Sequence, residues 1–294
     1  MSSRNAGWAL PTKSKVKSKR PFSRKYAGWA LPTNSLEKNR LSEPYWAMRS
    51  PFAPSCCMNF SEQKVEQTIG EICFFLNDAA ADFRHLLARG YPRPAALALV
   101  GNRYGLSRTV RQLLHRGVFA PAEAAGRRAR LRLLKEVAGR PLGLDGHNVL
   151  ITLECALRKL PLVAADDGFI RDVGQVSRSF KPSLETDRVL ALVLDYLAAQ
   201  PWLEPVAVFY DAPLSLSGEL ARRTAELAAA RGLKLTAAAV PVPERELQGF
   251  PGPIASSDTA LIEAQPLVVD LAGEIIRREL GLRPIELDTP GPEG

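Results

Sequence analysis

Beyond residue 140, four short apolar runs each lead to an aspartate, Leu142–Leu144 to Asp145, Leu162–Ala165 to Asp166 and Asp167, Val206–Tyr210 to Asp211, and Leu267–Val269 to Asp270, and Asp258 follows the short Ile254–Ser257 segment. A single aspartate at such a place ordinarily caps the helix that follows. Several on one edge repel one another, and their carboxyls titrate high unless a hard cation neutralises them; all-oxygen ligation favours Mg2+ or Mn2+. The candidate metal ligands are therefore Asp145, Asp166, Asp167, Asp211 and Asp258. Such a set suits hydrolysis of a phosphodiester, in which a bound cation activates water and steadies the leaving oxygen.

Polar side chains near these acids extend the candidate site. In Leu144-Asp145-Gly146-His147-Asn148 the glycine allows a tight turn beside the carboxylate, and the Asn148 amide can orient a metal-bound water or a phosphate. Ser215 and Ser217 precede a helix, which they could cap or, with its free N–H groups, use to hold a phosphate; capping is the ordinary role of Ser217. Asp166 to Asp172, with Arg171, leads into a long loop holding Arg178 and Lys181, which reads either as a substrate clamp or as a surface connection.

The acids converge only if the elements place them on one edge. From residue 140 to 282 the apolar runs alternate with helical periods at about Val149 onward, Thr186–Ala199, Gly218–Ala230, a short stretch after Asp258 and a last helix to Leu280. Strand alternating with helix predicts a Rossmann-like three-layer α/β sandwich with a mainly parallel sheet, because parallel strands need crossover helices. The carboxyl ends of such strands share an edge where ligands bind. Residues 283–294 read as a flexible tail.

Residues 61–139 carry a helical period instead. Ile72, Phe75, Leu76, Ala79, Phe83, Leu86 and Leu87 fall at three- and four-residue steps, with Gly90 as a stop. Pro94 opens a second helix, Gly101–Leu106 breaks it, and Ser107 caps a third, which outlines a helix-turn-helix. On the third helix Arg108, Arg111, His115 and Arg116 point outward, as either a nucleic-acid-contacting face or a solvated face of a plain bundle. An Arg-rich fourth helix runs from Pro121 to Val137.

Charge divides along the chain. Residues 1–60 hold 11 Lys and Arg against 2 acids, residues 61–140 hold 14 against 7, and residues 141–294 hold 14 against 22. The first 58 residues carry a perfect repeat, Ala6–Thr12 returning as Ala27–Thr33, with no sustained apolar period, and read as disordered. This segment is either a polybasic arm that adds affinity for nucleic acid or a copied stretch of coding sequence ahead of a start at Met58. Cys56, Cys57, Cys73 and Cys155 show no metal-ligand spacing and read as free thiols. No apolar run approaches the roughly 20 residues of a membrane span, and no secretory signal opens the chain, so a cytoplasmic protein is expected. The motifs of P-loop ATPases, dinucleotide oxidoreductases, α/β-hydrolases and zincins are absent from the sequence.

Asp145-Gly-His-Asn-Val149 resembles the Asp-Gly-x-Asn-Val opening of PIN-like nucleases, especially their NYN branch, and Ser257-Asp258 ahead of an Ile/Leu-rich helix resembles their later strand-end aspartate. The stretch from about residue 72 to 280 is similar to an uncharacterised prokaryotic family in which a helical domain of unknown function precedes a PIN-like domain. The resemblance implies a Mg2+- or Mn2+-dependent ribonuclease with Asp145, Asp211 and Asp258 as the core and Asp166 or Asp167 as the fourth acid; Glu154 is the nearest candidate for the usual helical acid. RNA is then the expected partner, docked on the helical domain, and a homo-oligomer stays open. The competing expectation is a non-catalytic nucleic-acid-binding protein whose helix-turn-helix-like segment is the reader.

Overall fold

The computed structural model describes residues 75–174 and 181–288. The repeat-bearing extension, Met58, Cys56, Cys57, Cys73, Arg178 and residues 289–294 lie outside the described residues. Cys155 is buried and free. Among the described residues no helix is long and apolar enough to cross a membrane.

Four helices come first: α1 (75–88), α2 (Arg93–Arg103), α3 (Arg108–Gly117) and α4 (Pro121–Arg128). Gly90, at φ +79°, ends the first, and the Ser107 hydroxyl accepts the Val110 N–H at the start of the third. The turn between α2 and α3 is fastened by Arg111, whose Nε donates to the Leu106 carbonyl at 2.9 Å and whose Nη2 donates to Asn102 Oδ1 at 3.1 Å. The fourth helix is shorter than its Arg-rich period predicts. It stops at Arg128, and the chain passes into strand β1 (Leu131–Arg132) and a single 3-10 turn (Leu134–Val137).

Beyond it the chain forms β2 (Leu142–Asp145), α5 (Gly146–Leu157), β3 (Leu162–Ala164), β4 (Ile170–Asp172), α6 (Leu184–Ala198), β5 (Val206–Asp211), α7 (Ser217–Ala230) and β6 (Leu235–Val240). It finishes with α8 (Pro243–Gln248), β7 (Ile254–Ala255), α9 (Thr259–Ala264), β8 (Val268–Val269), α10 (Leu271–Arg278) and β9 (Ile285–Glu286). Six strands make one sheet in the order β1-β8-β7-β2-β5-β6, and every neighbouring pair is parallel. The two-residue period of a strand divides its side chains between two cores. Ile254 and Val268 join Leu247, Leu261 and Ile262 on one face, while Ala255 and Val269 join Leu144, Leu150, Leu194 and Ile275 on the other. Helices therefore cover both faces, as the α/β sandwich requires.

The Leu162–Ala165 run departs from expectation. It forms β3, but β3 pairs antiparallel with β4 and parallel with β9 in a separate three-stranded sheet. Residues 283–288, expected as part of a tail, supply β9. The second sheet is the floor of the helical half: Val163, Val173 and Leu287 share one buried cluster with Phe83, Val100, Val110 and Leu114.

Candidate functional site

Strand β2 lies between β5 and β7, with Asp145 opposite Phe209 and Leu144 opposite Ala255. Asp211 closes β5 and Asp258 follows β7 by three residues, so the carboxyl ends of three adjacent strands each deliver an aspartate to one edge.

Asp145 is half-buried and fully engaged: Oδ1 accepts the Asn148 N–H at 3.2 Å, capping α5, and Oδ2 accepts the Ser256 hydroxyl at 3.0 Å. Burial pushes its carboxyl up to about 7, with Asp258 and Glu244 adding to the rise and the two hydrogen bonds opposing it. Asp211 is also raised, by burial and then by Glu244. Glu244, in the first turn of α8, is thus an acid of this edge that the strand-end pattern missed, because no periodic signal announces so short a helix. His147, in the first turn of α5, ties that helix to the end of β5, its Nδ1 accepting the Asp211 N–H at 3.0 Å; burial holds its pKa down at about 4, so the ring is neutral near pH 7.

The 256–258 segment is pinned from three directions. Ser256 bonds Asp145, Ser257 N–H and O–H both donate to Asn148 Oδ1 at 2.9 and 3.1 Å, and Arg171 Nε donates to the Ser257 carbonyl at 2.9 Å. Asp258 is exposed, and its Oδ1 caps α9 through the Ala260 and Leu261 N–H groups. Asn148 and Arg171 therefore act on this segment by positioning it.

Gly146 is required by a close approach rather than by a special turn. It opens α5, and a Cβ there would sit 2.3 Å from the buried Tyr210 ring.

Several expected members stand elsewhere. Because β3 belongs to the other sheet, Asp166 and Asp167 do not reach the acidic edge. Asp166 accepts Arg84 Nε and Nη2 at 2.8 and 2.7 Å and the Phe119 N–H at 3.0 Å. Asp167 takes both arms of Arg171 at 2.8 Å and lies 3.7 Å from Arg127. With their oxygens occupied by guanidinium groups, both are structural anchors and not metal ligands. Glu154 is buried between α5 and α6 on the Thr186 hydroxyl at 2.5 Å and Arg158 at 3.2 Å, and Asp270 is occupied by the Ile170 and Gly273 N–H groups. Ser217 does not cap α7: its hydroxyl donates to the Asp211 and Leu214 carbonyls, while Ser215 is exposed nearby.

The basic face of α3 is also largely engaged within the molecule. Arg111 closes the turn and Arg116 pairs with Asp172 at 2.7 Å, while Arg108 is exposed. Arg103 lies 3.6 Å from Asp82.

Residues 75–130 match the family described as Protein of unknown function (DUF434), and residues 134–274 match Domain of unknown function (DUF5616). The chain is similar to the uncharacterized protein MJ0935 of Methanocaldococcus jannaschii, 30% identical over 203 residues, which cover 68% of this chain and 96% of that protein. No solved structure matches.

Proposed function

The chain belongs to the uncharacterised two-part family joining DUF434 to DUF5616, and from that premise we propose that it is a cytoplasmic, metal-dependent phosphodiesterase acting on RNA, with Asp145, Asp211 and Asp258 as its working acids. One observation carries the reading: three adjacent parallel strands lead to aspartates on one edge, and the central one, Asp145, is pushed up to about 7 by burial, with Asp258 and Glu244 adding to the rise. In donor type and charge the acids of this edge suit a hard divalent cation, since all are oxygen donors and the charges of Asp258 and Glu244 add to the rise at Asp145. It is an open edge, because among the described residues no three His, Cys, Asp or Glu side chains are grouped closely enough to hold an ion as they stand. Asp145, Asp211 and Asp258 would hold Mg2+ or Mn2+, which when bound would supply an activated water and charge at the leaving oxygen. Glu244 replaces Asp166 and Asp167 as the candidate fourth acid.

The chain's own residues prepare that chemistry. Without a cation, burial lifts the Asp145 carboxyl to about 7, so a cation held there would displace its proton and make binding stronger as pH rises. Its two hydrogen bonds fix its plane, and Arg171 and Asn148 hold the segment carrying Asp258. The test is cleavage of end-labelled RNA by the full chain with Mn2+, in the presence and absence of chelator. Metal-dependent cleavage that disappears in Asp145→Asn is expected; no cleavage under any condition overturns the reading.

The open geometry of the edge favours a second reading, a non-catalytic nucleic-acid-binding protein. It predicts RNA binding that neither chelator nor Asp145→Asn alters. With Arg111 and Arg116 engaged internally, the α3 face offers such a reader few of the cations that its spacing promises.

A further inference from the structure

Beside the acidic edge, where the start of α2 and the end of α3 meet α5 and the β7–α9 segment, a cavity of about 150 Å3 is lined by Arg93, His115, Arg116, Asn148, Arg171 and Ser257, among others. It has room for about five waters at roughly 30 Å3 each, enough for one oxyanion with its hydration. Its wall is basic, and Asp258 is the one carboxylate among its lining residues.

The cations on that wall are unequal. Arg116 is neutralised by Asp172 and Arg171 by Asp167, at 2.7 and 2.8 Å. Arg93 forms no ion pair among the described residues. It gives one hydrogen bond, to the His115 carbonyl at 3.1 Å, and its guanidinium stacks on the rings of Phe119 and Phe83 at 4.7 and 5.5 Å. Arg127 and Arg171 crowd the same Phe119 ring at 4.5 and 5.1 Å, and of these three guanidiniums Arg93 is the one with no carboxylate at ion-pair distance among the described residues. Burial lowers its pKa, and the Arg127 and Arg171 charges lower it further, against Glu123 and Asp166; His115 is lowered by burial and then by Arg93 and Arg116. A half-buried cation held this way is stabilised by an anion that enters.

The neutral donors agree. Asn148 Oδ1 is taken by the Ser257 N–H and O–H, which leaves the Asn148 amide N–H groups to the cavity. A carboxylate would bring one charge and two oxygens to this wall. A phosphomonoester brings roughly −1.5 to −2 charge and three acceptor oxygens, matching a guanidinium fork, an imidazole and an amide on different sides.

We propose that this cavity is a phosphomonoester site, in which Arg93, His115 and Asn148 hold the terminal phosphate of a nucleic-acid strand. The proposal deepens the functional reading by naming the end of the substrate and rests on it for the polymer, while the binding itself requires no cleavage. The test is performed on the full chain in chelator, comparing by fluorescence anisotropy short RNAs of one sequence carrying a 5′-phosphate, a 3′-phosphate or neither, with AMP and inorganic phosphate as competitors. One phosphorylated RNA should bind at least about tenfold tighter than the unphosphorylated strand, and Arg93→Gln should reduce that preference to about twofold or less. His115→Ala, at an exposed position, should reduce it too and serves as the reporter if Arg93→Gln does not fold. AMP competing as well as the phosphorylated RNA would assign the same site to a mononucleotide. Equal binding of all three RNAs overturns the proposal, as does a preference that both variants retain. Because no divalent cation is present, cleavage without end preference would sink the pocket alone, and end preference without cleavage would sink the nuclease alone.

Discussion

Asp145 caps a helix and accepts a serine hydroxyl, yet its carboxyl titrates near neutrality because burial and two neighbouring acids outweigh those bonds. The sign of the consequence follows from linkage. A carboxyl that binds its proton more tightly folded than unfolded contributes stability below about pH 4, and that contribution is lost as pH rises through 7. A rise from 3.8 to about 7 corresponds to about 4 kcal/mol, which relaxation and water entry at a half-buried site reduce to about 1–2 kcal/mol. Asparagine keeps the cap, since Asn is as good at that position. Asp145→Asn should therefore raise Tm by roughly 2–8 °C at pH 8 in chelator and leave it unchanged at pH 4. Calorimetry at the two pH values checks this, and an equal shift at both would mean that charge plays no part. Gly146 makes the complementary case. An added methyl meets a Tyr210 ring that is buried and bonded through its hydroxyl to Thr224, so Gly146→Ala should cost about 1–3 kcal/mol, read as a lower denaturation midpoint in urea. The Asp-Gly pair was legible as a motif, but the reason for its glycine lies 64 residues further along the chain and was not.

At the scale of elements, sequence carried the main sheet because its central strands are apolar runs of readable length, bounded by aspartate or Pro and spaced by clear helical periods. Strands β1, β4 and β9, of two or three residues, have no period to read. The same signature that located Asp145 and Asp211 misplaced Asp166 and Asp167: an apolar run followed by Asp marks the end of a strand and is silent about which sheet the strand joins. Likewise the three- and four-residue spacing of Arg on α3 shows a basic face but not that Arg116 reaches an acid 56 residues away. Asp166 can be tested as the anchor it is. Its removal leaves the buried Arg84 without its carboxylate partner and the Phe119 N–H without its acceptor. Asp166→Ala should therefore cost about 3–5 kcal/mol, the range for breaking one side of a buried pair. Asp211→Ala, at a partly exposed strand end whose carboxyl has no described ion pair, should cost far less. Chemical denaturation of the two variants side by side decides it; equal losses would return Asp166 to the list of candidate ligands.

Across the whole molecule the division between a basic helical part and an acidic α/β part is partly complementarity within the chain. Arg84, Arg116 and Arg127 cross from one to the other to meet Asp166, Asp172, Asp167 and Glu263, so only the remainder of the basic charge is available to an external anion, and Arg93 stands out within that remainder. The C-terminal segment completes the joining. β9 adds a parallel strand to β3, Leu287 is 5% exposed in the core shared with Phe83 and Leu114, and the carbonyls of Leu287 and Asp288 accept Arg84. Asp288 also exchanges hydrogen bonds with Asn77 on α1, closing the end of the described chain onto its beginning. A chain ending at residue 282 would keep all six strands of the main sheet and every acid of the candidate edge, but would uncover the second sheet. Loss of Leu287 alone corresponds to about 2–5 kcal/mol of core burial, and the missing Arg84 acceptors add about 1–3 kcal/mol. The truncated chain should melt at least about 5 °C lower, with the loss concentrated in amides of α1, α2 and α3 when followed by hydrogen exchange, because those helices rest on the second sheet. Unchanged melting and unchanged protection in those helices would show that residues 283–294 are a tail after all, and that the helical part stands without the strand it shares with the chain's end.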